Sequence, residues 1–217
     1  MMNKKSILDA LLNDDDQFKP NEEENTVLAP LISEINLISS SQIKSFVRSV
    51  LLQSKLFWVI PSSFSGKHHP KDEHQRGGNV LHTKRVVKVA SILSESYSLS
   101  QPEKDLIIAA CILHDVTKGI SPSDSEEEAF YDPMHPYTVG AFVQKCQDND
   151  RKYSSESSSS TLFLDEETVQ SILRLVRCHL GPWSPVPETY PTTYLDMIVH
   201  ISDNIASKLH TIVDINE

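Results

Sequence analysis

Eight consecutive apolar residues, Leu106 to Leu113, end on the pair His114-Asp115. A run of that length with no polar face fits a helix buried on all sides. The carboxylate at its tip is then taken out of water, which costs several kcal/mol unless something pairs with it. A divalent cation suits an adjacent imidazole and carboxylate, because His nitrogen and Asp oxygen both ligate such ions. Residues of the same type lie on both sides: His82 before the pair, and His135, His179 and Asp203 after it.

At 217 residues the chain is long enough for one domain with a full core. Cys111, Cys146 and Cys178 are too scattered for a disulfide framework or a zinc ribbon. A reducing, cytoplasmic setting is expected from them. The start of the chain lacks the long apolar stretch of a signal peptide. No apolar run approaches the roughly 20 residues of a membrane span, so no membrane partner is expected. The formal net charge of −10 argues against a general nucleic-acid coat protein. The stretch from Lys44 to Lys88 nevertheless leans basic, which would suit a phosphate-bearing substrate beside His82. For the charges alone, a solvated face of charged helix residues is the simpler explanation.

The pattern predicts an all-α fold. Residues 1–40 read as an N-terminal extension, partly flexible, whose Leu28-Ala29-Pro30-Leu31-Ile32 segment can dock on the body. Residues 41–217 read as the domain. Helices are expected from Ser41 to before Pro61, from Gly78 to about Tyr97, and from Ser100 to His114. The last of these starts with a Ser100-Gln101-Pro102-Glu103 capping box. Others should run from His135 to about Cys146, from Asp165 to Gly181, and from Thr193 to Ile212. Residues 61–78 read as a loop rich in His and Lys, 120–134 as an acidic loop, and 147–161 as a flexible Ser-rich insert. No strand ladder is expected.

Taken singly, each polar candidate has an ordinary explanation. His82 and His179 fit satisfied core histidines, His114-Asp115 a helix cap, and Asp203 a polar stripe with Asp196 and His210. Taken together, the order His, His-Asp, His, His, Asp resembles the HD-domain metal-dependent phosphohydrolase superfamily over residues from about 42 to 212. The likeness is strongest in Gly77-Gly78-Asn79-Val80-Leu81-His82-Thr83 and in Ile112-Leu113-His114-Asp115-Val116-Thr117-Lys118. The lead-in from Phe57 to Pro70 is similar to that of small phage and prokaryotic members. The resemblance implies a helical bundle in which His82, His114, Asp115 and Asp203 hold a primary metal. It implies that Asp115 bridges to a second ion held by His135 and His179. It gives Lys118 to the substrate phosphate and makes Asp115 and Lys118 the catalytic residues. One departure is Thr117, which replaces a usual glycine and whose Cβ is expected to shift the backbone or narrow the pocket.

Position in the chain adds His69, with His68 beside it, and Lys84 and Arg177 as candidate substrate-binding residues. The chemistry expected is hydrolysis of a phosphoester by water that one or two divalent ions activate, and Mn²⁺, Fe²⁺, Ni²⁺, Co²⁺ and Mg²⁺ all suit the mixed ligands. The substrate would be a phosphorylated small molecule or nucleotide, making the protein a nucleotidase or phosphodiesterase. A single-stranded nucleic-acid end, cut by a 3′-5′ exonuclease, is the competing substrate. Two other classes stay open: a catalytically weak nucleotide-binding or regulatory protein on the same scaffold, and di-iron oxygen chemistry. The sequence sets no oligomeric state.

Overall fold

A computed structural model describes residues 22–121, 129–153, 164–208 and 213–215. The Ser-rich stretch 154–161, most of the acidic loop (122–128), and His210 with the expected end of the last helix lie outside these. The described chain is helical: α1 (Glu22–Leu28), α2 (Ile32–Asn36), α3 (Ser41–Gln53), α4 (Gly78–Ser96), α5 (Gln101–Leu113), α6 (His135–Tyr153), α7 (Glu166–Cys178) and α8 (Tyr194–Ala206). Short 3₁₀ turns fill several connections, among them Lys71–Glu73 and Gly181–Trp183.

The apolar run makes α5 the centre of the bundle. Ile107 to Leu113 are all at most 3 % exposed, and α5 packs against α3, α4, α7 and α8. Ser100 and Glu103 form the capping box that starts it. Asp196, read above as part of a polar stripe, caps α8 instead, its carboxylate accepting from the Thr193 backbone at 2.9 Å.

Leu28, Leu31, Ile35 and Ile38 recur every three or four residues and are fully buried in the common core, so residues 28–38 dock on the body. Asp105 of α5 ties this segment down, accepting from the Ser39 and Ser40 backbones at 2.9 and 2.7 Å. Two expectations need correction. First, α6 continues to Tyr153, so the first residues of the expected insert are helical. Secondly, two short strands pair antiparallel, β1 (Gly119–Ile120) with β2 (Phe130–Tyr131). Two residues are too few to show a period-2 pattern. Among the described residues no helix is long and apolar enough to cross a membrane.

The double glycine has two separate causes. Gly77 caps α4 at φ +76°, in the left-handed region that favours glycine. At Gly78 a Cβ would fall 2.0 Å from the Glu73 carbonyl oxygen. The backbone of the Lys71–Glu73 turn therefore lies directly on the first turn of α4, and this close approach carries the Glu73 side chain inward. Gly78→Ala should lower stability by about 1–3 kcal/mol. Gly140→Ala should cost less, because the nearest atom there is the end of the Arg177 side chain at 3.0 Å. Thermal and denaturant unfolding of the two variants checks the ranking.

Candidate metal centre

One local device recurs at three of the histidines. His114 and His179 follow the last residues of α5 and α7, and His135 opens α6. Their Nδ1 atoms donate to the carbonyls of Cys111, Val176 and Asp132, each three residues back, at 2.7, 2.7 and 2.8 Å. Helix ends leave carbonyls without intrahelical partners, and a carbonyl only accepts. The proton is thus fixed on Nδ1, and each Nε2 presents a lone pair to the interior.

These lone pairs converge on Asp115, which is 1 % exposed. Its Oδ1 lies 3.1 Å from His135 Nε2 and 3.8 Å from His179 Nε2. Its Oδ2 lies 3.4 Å from His114 Nε2 and 2.5 Å from Lys118 Nζ. One oxygen of the carboxylate thus faces His135 and His179, and the other faces His114 and Lys118. On the far side of His114, His82 Nε2 is 3.0 Å from Asp203 Oδ1, which is also 3.9 Å from His114 Nε2. His82–His114–Asp115 and Asp115–His135–His179 each bring three ligand atoms within 4.8 Å of one another.

The donors fit a divalent cation on two counts. His114 Nε2 is buried with no hydrogen-bond partner. His135 Nε2 and His179 Nε2 meet at 3.2 Å although both Nδ1 atoms already carry the proton. Two opposed lone pairs repel, and a shared cation removes the repulsion. Burial, reinforced by His114 and His135, lowers the His179 pKa to about 3, so it is neutral and available at ordinary pH.

Glu73 is the residue the sequence did not reveal. It is fully buried. Its Oε1 accepts from Arg85 Nη1 at 2.5 Å, and Arg85 also reaches Asp72 Oδ2 at 2.6 Å. Its Oε2 lies 3.0 Å from His69 Nδ1 and 3.3 Å from His82 Nδ1. The His82 approach is an ion-pair contact and not an aligned hydrogen bond. Burial pushes the Glu73 carboxyl up, but His69, His82 and Arg85 outweigh it and hold the pKa at about 2. His69, Glu73 and His82 also lie close enough to share an ion. With Arg85 already on Glu73, this cluster acts as a brace behind His82. The only sequence signal was an acid four residues before the double glycine.

The remaining candidates divide. Lys118 and His69 line the cleft of about 890 Å³ that opens over Asp115, His135 and His179. His69 is held with φ +68°, and its backbone N–H donates to Ser207 O at 3.0 Å. Burial lowers its pKa to about 4 against the opposing bond to Glu73. Lys84 and Arg177 are not brought to the cleft. Lys84 Nζ turns to Pro30 O at 3.4 Å and Glu34 Oε1 at 3.8 Å, because the N-terminal segment covers that face of α4. Arg177 is directed across to Gly140 of α6. Thr117 does not narrow the pocket: its hydroxyl donates to His135 O at 2.8 Å, and its backbone is not left-handed.

A helical domain with a buried His/Asp centre suited to divalent metal is the class that fold and site define. Comparison with known families matches the HD domain over residues 80–208, more than half of the chain. The chain belongs to the HD-domain family, a superfamily of metal-dependent phosphohydrolases. Comparisons with curated proteins and with solved structures return no match.

Two predictions follow from the brace behind His82. Glu73→Gln keeps the shape but removes the charge, and should weaken divalent-metal binding about 10- to 100-fold; calorimetric titration of ion-free protein reads this directly. The second concerns pH. Burial disfavours charge on His82, yet Asp203 and Glu73 raise its pKa from 6.5 to about 9. A ligating His82 must shed that proton, so metal affinity should climb by up to about tenfold per pH unit between pH 6.5 and 8.5. The stability of ion-free protein runs the other way. A raised histidine pKa contributes stability that is complete below 6.5 and lost as pH rises through about 9. Equal metal affinity at both ends of that window would rule out the assignment.

Proposed function

We propose that the protein hydrolyses a phosphoester of a nucleotide or nucleic acid, acting as a nucleotidase or phosphodiesterase with one or two bound divalent ions. The observation that carries this reading is the split Asp115 carboxylate, with the Lys118 ammonium 2.5 Å from one of its oxygens at the floor of the cleft. His82, His114, Asp115 and Asp203 would hold a primary ion, and Asp115, His135 and His179 a second. Such an ion supplies Lewis acidity and water of lowered pKa. Asp115 stays ionised, since burial is outweighed by the Lys118 ammonium beside it, and its carboxyl lies below the usual range. Lys118 can leave Asp115 for the phosphoryl oxygens and offset charge that develops there. His69, with Nδ1 on Glu73, offers its Nε2 lone pair at the cleft wall to a water or a substrate hydroxyl. In the reaction, the water oxygen bonds to phosphorus, the ester P–O bond breaks, and the proton ends on the departing oxygen.

Metal analysis of the purified protein, followed by a panel of mononucleotides, dinucleotides, cyclic nucleotides and short single strands with Mn²⁺ added, tests the proposal. Turnover should fall by at least about a thousandfold in His114→Ala and Asp115→Asn. Hydrolysis of every tested ester at an unchanged rate in both variants would falsify it. Nucleotide binding with no turnover at full metal occupancy would favour a regulatory role on the same scaffold. Bound iron together with oxygen consumption would favour oxygen chemistry.

A further inference from the structure

The cleft carries more aromatic surface at its mouth than hydrolysis of a phosphate requires. Trp183 lines it while 66 % exposed. Its position is fixed from below. The turn Gly181–Trp183 comes two residues after His179, and Gly181 adopts φ +56° where a Cβ would fall 2.2 Å from the His200 ring. His200 Nδ1 donates to His179 O at 2.8 Å, and its ring lies 5.6 Å from the Trp183 ring. The indole is thereby held in register with His179. Lys208, also in the cleft lining, sits 5.6 Å from the indole centroid.

A second aromatic group lines the same cleft. Phe64 and Tyr131, 36 % and 41 % exposed, lie with ring centroids 6.3 Å apart. One comes from the loop after Pro61 and the other from β2. The Tyr131 ring is 5.7 Å from that of His135. Each aromatic group is thus tied to a different one of the two histidines that face Asp115 Oδ1. Among the described residues no ring contact joins the two groups. The charge of the lining is opposite to that of the chain: Lys67, Lys118 and Lys208 face a single carboxylate, Asp115, in a protein of net charge −10.

Flat rings exposed at two separate places, with cations beside them, suit two bases and the phosphates next to them. We infer that the cleft takes a short nucleotide in which a phosphodiester over Asp115 and Lys118 joins two nucleosides. Trp183 stacks on one base and the Phe64–Tyr131 pair on the other. Lys208 and Lys67 serve the outer phosphates. A long polymer is disfavoured by the chain's net charge of −10. The inference rests on the hydrolytic reading for its choice of scissile phosphate, but the two stacking places stand apart from turnover.

Binding to the metal-loaded protein separates the two. The probes are phosphorothioate-linked pApA, which resists hydrolysis, AMP and inorganic phosphate, titrated by calorimetry, with wild-type tryptophan emission followed in parallel. pApA should quench the emission and bind at least about tenfold more tightly than AMP. Trp183→Ala and the double variant Phe64→Ala/Tyr131→Ala should each weaken pApA binding on the order of tenfold or more. Both should leave the affinity for inorganic phosphate and the melting temperature within about twofold and a few degrees of wild type. Equal affinity for pApA and AMP, or pApA affinity unchanged in both variants, overturns the inference. Tight two-base binding with no hydrolysis of any ester would uphold the inference while sinking the hydrolytic reading.

Discussion

The Asp115 carboxylate is the constraint on which the rest of the structure depends. It is buried at the tip of the helix against which α3, α4, α7 and α8 pack, where a lone anion would not remain charged. Lys118 answers that charge directly, while three imidazoles present lone pairs beside it that suit a shared cation, each aimed by a carbonyl three residues before it. The ends of α5 and α7 and the start of α6 must therefore meet at one point. Their backbones, not flexible side chains, set the geometry, which is why a buried polar centre survives inside an apolar bundle.

A second layer supports the first. Glu73 stands behind His82 and His69, and Arg85 and Asp72 stand behind Glu73. This arrangement exists because the Lys71–Glu73 turn presses onto Gly78, where any side chain would collide. The double glycine, which looks like a simple helix start, is thus also the means by which a polar loop delivers a buried carboxylate. Such outer partners fix ligand orientation and basicity in metal sites generally.

Much of this was legible in order along the chain. The apolar run, the capping box at Ser100 and the His and Asp spacing gave the helices and the set of residues that the structure assembles. Lys84 and Arg177 were chosen for closeness in sequence to His82 and His179, and helix rotation defeats that argument. Lys84 lies on the face of α4 that the N-terminal segment covers, and Arg177 points from α7 to Gly140 of α6. Glu73 was hidden because an acid among Lys71, Asp72 and His74 reads as solvated loop, and only the close approach at Gly78 buries it. The docking of residues 28–38 is legible at Leu28 to Ile32 and less so at Ile35 and Ile38, where polar neighbours mask the three-four apolar spacing.

By itself the sequence determined an all-helical domain of the HD family, since hydrophobic periodicity and residue types at fixed spacing are local properties. It also determined which imidazoles and carboxylates were present to hold a cation. Only the tertiary structure decided that Asp115 sets one oxygen against His135 and His179 and the other against His114 and Lys118. It alone decided that Glu73 braces His82 and that two aromatic groups flank the cleft. These depend on which faces of distant helices and loops meet, and burial, lone-pair direction and repulsion between opposed nitrogens arise only once they do.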